Sequence, residues 1–114
     1  MAEQGVVYKP SHAAAVSQPE PGMRRQVLAY DPNLMLVRHQ LEQGWKGARH
    51  QHPHSQLVYV VRGRILFEGD GQTIEMRAGD SLVVGSNVEH QASALENSEV
   101  LDVFTPFRED YAAH

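Results

Sequence analysis

Residues 44–63 read GWKGARHQHPHSQLVYVVRG, and the rest of the chain can be read outward from them. His50, His52 and His54 fall within five residues, and an apolar, β-branched and aromatic run from Gln56 to Val61 follows at once. Such a run favours a strand. In an extended chain residues two apart face the same way, so His50 and His52 present two imidazoles to one side. A metal asks for this spacing from a strand. Pro53 interrupts the ladder and leaves two registers open. Strict alternation puts His54 and Gln56 on the face of the pair, whereas a turn at Pro53-His54-Ser55 returns Gln56 to it and sends His54 outward. A further imidazole, His90, stands at the head of a later strand. His12, His39 and His114 read as structural or surface residues.

Upstream, residues 1–22 hold three of the six prolines among alanine and polar residues and read as an irregular arm. Val6-Val7-Tyr8 is a candidate edge strand within it, and residues 23–114 form the domain proper. Met23 to Ala29 and Leu34 to Leu41 are strand candidates around Asp31-Pro32-Asn33, where proline presets φ and the flanking side chains accept local bonds. Downstream, Ile65 to Phe67 and Thr73 to Met76 flank Asp70-Gly71, a strong hairpin signal. Leu82 to Val84, the strand carrying His90, and Val100 to Phe104 complete about eight short strands, with no helical period between them. The fold class expected is all-β. Open edges invite aggregation, which favours closure into a single barrel or jelly roll.

Composition narrows the function classes. A chain of 114 residues with 41% hydrophobic content suits one packed domain. Its net charge of −4, with acids and bases interspersed, offers no nucleic-acid footprint. No apolar run reaches bilayer length and no secretory pattern opens the chain, so no membrane association is expected. The absence of cysteine removes any thiolate site and accords with a reducing cytoplasm.

The pattern Gly44-x5-His50-x-His52-x3-Gln56-x6-Gly63 resembles the first motif of the cupins, a glycine, two histidines, a glutamate and a closing glycine. Every spacing is met, and the one departure is Gln56 in the glutamate position. Gly79-x5-Gly85-x-Asn87-x2-His90 resembles the second motif more loosely. Gly85 replaces its proline, Asn87 its second glycine, and Ala94 its terminal asparagine. The resemblance implies a double-stranded β-helix, the RmlC-like jelly roll, with one divalent metal held by His50, His52, Gln56 and His90. Imidazole-rich sites suit zinc, nickel, copper or iron, and manganese is also compatible with the fold. A neutral glutamine leaves the full charge on the ion. The expected result is a stronger Lewis acid held less tightly than by glutamate.

Val100-Leu101-Asp102-Val103-Phe104 places a carboxylate inside an apolar alternation, which is costly unless the group has a partner or a task; an outward, solvated aspartate is the alternative. The tail VLDVFTPFREDY is similar to that of the small cupins of pectin and alginate breakdown, which linearise 4,5-unsaturated uronic acids to keto sugars. That likeness implies Asp102 as the proton-transfer group, Phe104 as a pocket wall and Arg108 as a clamp on the substrate carboxylate. It also implies an acidic sugar as substrate and a homodimer. Arg62 and Arg64, beside a glycine turn, read as solvated, and Tyr59 as a core residue. A cupin dioxygenase using iron and O₂, and a non-catalytic small-molecule-binding cupin, are the alternatives.

Overall fold

The structure is a computed structural model that describes residues 5–112. Nine strands follow a 3-10 turn at Ser11–Ala13: β1 Ser17–Glu20, β2 Met23–Asp31, β3 Leu34–Leu41, β4 Ser55–Arg62, β5 Arg64–Gly69, β6 Gln72–Arg77, β7 Ser81–Val84, β8 His90–Ala94 and β9 Ser98–Thr105. A short helix, α1 Glu109–Ala112, follows β9. One sheet has the order β1-β2-β3-β9-β4-β7 and the other β6-β5-β8. Every pairing is antiparallel, and the two sheets face each other as a jelly roll.

The turns follow local chemistry. Asp31 Oδ1 accepts from the amides of Asn33 at 2.8 Å and Leu34 at 3.2 Å, closing the β2–β3 hairpin. Asp70 and Gly71 both take positive φ, 52° and 72°, as a two-residue hairpin requires. At Gly63, φ is 91° and an added Cβ would lie 2.5 Å from Asn97 O and closer still to Ser98 Oγ. No side chain fits there, which explains the closing glycine of the first motif. Asn87 replaces the second motif's glycine at φ 61°, a left-handed conformation that asparagine tolerates.

Several expectations are revised. Ser17–Glu20, read as part of the irregular arm, pairs with β2 as an edge strand. Val6-Val7-Tyr8 forms no strand and is exposed. Tyr59, expected in the core, is 43% exposed, because β4 turns Val58 and Val60 inward and Leu57, Tyr59 and Val61 outward. The histidine segment is no regular strand; isolated bridges, Lys46 to Ser93 and His50 to His90, hold it in place. His12 lies exposed in the 3-10 turn, and His114 falls outside the described residues.

Two apolar clusters form the core. The larger gathers Val58, Val60, Ile65, Phe67 and Met76 between the sheets. The smaller, Met35, Val37 and Phe104, is covered by Tyr30, Phe107 and Tyr111. Burying Phe104 to 1% exposure contributes about 1.5–3 kcal/mol. Strand β9 lies between β3 and β4, so its inward residues meet side chains from both neighbours. That placement assembles the site.

Candidate metal centre

His50 and His90 exchange both backbone hydrogen bonds, at 3.0 and 2.9 Å, which brings their rings to a centroid distance of 4.4 Å. The Asn87 amide donates to His52 O at 2.7 Å and ties the second motif to the first. One ligand atom from each of His50, His52 and His90 lies within 4.8 Å of the others. His52 and His90 are buried, and His50 is exposed at the rim.

The orientation of each ring follows from its partner. His50 Nδ1 meets Ala48 O at 2.9 Å, His52 Nδ1 meets His54 O at 3.0 Å, and His90 Nδ1 meets Val88 O at 2.8 Å. A carbonyl only accepts, so each Nδ1 carries the proton and each Nε2 keeps its lone pair. These carbonyls orient the rings as outer partners orient metal-ligating histidines. Burial, then the nearby Arg108 charge, pushes the His52 pKa below its ordinary value; burial does the same to His90. Neutral rings are the ones that can coordinate.

Gln56 contributes the fourth acceptor. Its Nε2 donates to Asp102 Oδ1 at 2.8 Å, which leaves Oε1 facing His52 Nε2 at 3.0 Å. With Nδ1 protonated and the imidazolium disfavoured, this contact sets one lone pair against another. A cation among the four acceptors resolves that opposition. The donor set therefore fits a divalent metal, and its chemistry is that of a neutral three-histidine, one-amide site.

His54 stands outside this set. The chain bends at Pro53-His54, Gln56 returns to the cluster, and the His54 ring packs 6.3 Å from that of Phe104. Its Nδ1 is buried without a hydrogen-bond partner.

Asp102 is 5% exposed and faces inward, so the outward alternative does not hold. Its Oδ2 lies 2.7 Å from His39 Nδ1. Phe104 and Asp102 both line a cavity of about 310 Å³, together with His50, His90, Gln56 and Arg108. Arg108 Nε and Nη2 donate to Asp110 at 3.2 and 2.8 Å, and Nη1 donates to the Tyr111 hydroxyl at 3.0 Å. Three of its five N–H groups are thus engaged, and two remain to meet a ligand. Arg62 pairs with Glu99, and Arg64 with Glu75 and Glu96, away from the cavity.

Arg25, His39 and Tyr111, outside the expected set, also enter the cavity wall. A signal for His39 lay in the sequence, since it shares the inward face of β3 with Met35, Val37 and Leu41. Arg25 carried no such signal, because only the β2–β3 register sets it opposite His39. Burial pushes the Tyr111 phenol above its ordinary pKa.

Fold and donor set together define a β-barrel with a site able to hold a metal. The model of the cupin domain matches residues 37–104, more than half of the chain. The chain belongs to the cupin family. It is 30% identical over 92 residues to the pectin degradation protein KdgF of Dickeya dadantii, covering 79% of this chain and 84% of that protein. The structure of KdgF from a Halomonas species superposes with a TM-score of 0.87 at 35% identity, covering 93% of this chain and 98% of that one. An RmlC-like cupin from Shewanella frigidimarina gives a TM-score of 0.87 at 32% identity, over 96% and 99% of the two chains.

Proposed function

We propose that this cupin is a metal-dependent enzyme that opens the ring of a 4,5-unsaturated uronic acid to a linear keto sugar. One observation carries the reading: four lone-pair donors converge in a cavity whose wall also holds a buried carboxylate and a guanidinium. The likeness to pectin degradation proteins supports the substrate class.

His50, His52, Gln56 and His90 would hold the ion, which supplies Lewis-acid polarisation of a sugar oxygen when bound. Arg108 directs its two remaining N–H groups to the uronate carboxylate. Phe104 forms an apolar wall that limits water. Gln56 and His39 both donate to Asp102, which takes the proton of the anomeric hydroxyl. The bond from C1 to the ring oxygen then breaks, leaving an aldehyde at C1 and an enolate at C5. Returning the proton to C4 gives the 5-keto sugar, so the conversion is an isomerisation with no atom gained or lost.

Assembly as a homodimer in the cytoplasm belongs to the same proposal. The outward residues Leu57, Tyr59, Val61 and Val83 form an exposed apolar patch on adjacent strands. Among the described residues no helix is long and apolar enough to cross a membrane.

The test follows the conjugated double bond of an unsaturated uronate. Wild-type protein loaded with metal should abolish its absorbance, and Asp102→Asn should slow that loss by about 10²- to 10⁴-fold. An unchanged rate in the variant would remove Asp102 from the chemistry. An unreactive uronate would remove the substrate.

A further inference from the structure

His39 is a buried imidazole that touches no reacting atom in the proposed reaction, yet it sits in an unbroken chain of polar contacts ending at the candidate metal site. Arg25 Nε donates to His39 Nε2 at 3.0 Å. His39 Nδ1 meets Asp102 Oδ2 at 2.7 Å, and Asp102 Oδ1 accepts from Gln56 Nε2 at 2.8 Å. Register explains the reach. Arg25 is opposite His39, while Asp102 is diagonal both to His39 across β3 and to Gln56 across β4.

The polarity of this chain is forced from one end. Arginine only donates, so His39 Nε2 must accept and Nδ1 must carry the proton. Asp102 therefore accepts on Oδ2, and its other oxygen accepts from the Gln56 amide. Only the NH₂ side of the Gln56 amide can face that oxygen, which leaves Oε1 for the three imidazoles. A primary amide has nearly the same shape in both flips, so its partners alone decide which end faces a cation. The flipped amide would aim two donors at the ion. Arg25 is itself held, with its guanidinium 3.8 Å above the Tyr111 ring and Nη2 3.7 Å from Met23 Sδ.

We infer that His39, oriented by Arg25, is a positioning residue that fixes Asp102 and through it aims the Gln56 carbonyl oxygen at the metal site. The inference rests on the reading of His50, His52, Gln56 and His90 as ligands, and is independent of the substrate.

The experiment measures Zn²⁺ affinity of the metal-stripped full chain by competition with a chromogenic chelator, with circular dichroism confirming the fold. H39L, which cannot donate to Asp102, should bind Zn²⁺ about 10- to 100-fold more weakly than wild type. H39N sets an amide N–H where Nδ1 stood, and should stay within about threefold of wild type. If H39L does not fold, H39Q takes its place, since its longer amide reaches toward Arg25 rather than Asp102 and should also lose affinity. Equal affinity of wild type and H39L, or equal losses in H39N and in the H39L or H39Q comparator, would overturn the inference and leave the metal site standing. Wild-type protein that takes up no Zn²⁺ would overturn both.

Discussion

At the scale of single residues, Gln56 has a task that glutamate could not perform beside Asp102. Its amide donates from one end to Asp102 at 2.8 Å and accepts at the other, facing His52. A glutamate there would set two carboxylates at that distance, and like charges so close cannot both ionise without strong opposition. The simple charge argument, in which Gln56→Glu tightens metal binding, therefore omits a neighbour. Gln56→Glu alone should bind metal weakly near neutral pH. The exchange Gln56→Glu with Asp102→Asn should recover affinity by about tenfold or more over that single variant, because an asparagine N–H can again donate across the gap. Chelator competition reads both. A single variant that already binds more tightly than wild type would refute the coupling.

At the scale of elements, β9 decides what meets what. Lying between β3 and β4, it turns Asp102 and Phe104 toward the interior, where His39 and Gln56 reach Asp102 from either side. The same alternation gives β4 its second face. Leu57, Tyr59 and Val61 point outward, and Val83 of β7, 72% exposed, pairs with Leu57. A single exposed apolar residue is unremarkable, but a contiguous group on neighbouring strands is the kind of surface a partner covers. If a second copy covers it, Val83→Lys buries a charge in the interface. The expected outcome is a shift from dimer to monomer by light-scattering mass at micromolar concentration, with the melting profile of the fold retained. A wild-type chain that is monomeric throughout would discard this face as a self-association surface.

At the scale of the whole molecule, the candidate ligands come from β4 in one sheet, β8 in the other and the segment joining β3 to β4, so site and fold share their stability. Burial lowers the pKa of His52 and His90 from the ordinary 6.5. Below that value the unfolded chain binds protons that the folded one refuses, so unfolding gains as pH falls. Stability of the metal-free protein should be complete above the ordinary histidine range and decline as pH drops through it toward the lowered folded values. Thermal midpoints recorded from neutral to about pH 5 check this. A flat profile would mean that neither ring resists protonation. Bound metal should raise the midpoint above the histidine range and lose that effect on acidification, because the ion and the proton compete for the same Nε2 lone pairs.

The resemblance to the cupin motifs supplied Gln56 and His90, while the sequence by itself determined most of the strand pattern, the β2–β3 and Asp70-Gly71 turns, and the like-facing pair His50 and His52. These rest on local physics: alternation, turn conformations and the fixed distance between like-facing residues. It did not determine that Ser17–Glu20 would find a partner strand, that Tyr59 would face outward, or that His39 and Arg25 would stand behind Asp102. Those outcomes depend on which strands become neighbours and in what register, and pairing between strands distant in sequence is set only when the barrel closes. The direction of the Gln56 amide is the clearest case. Nothing in its own segment distinguishes oxygen from nitrogen, and the distinction arrives through hydrogen bonds from β9, β3 and β2.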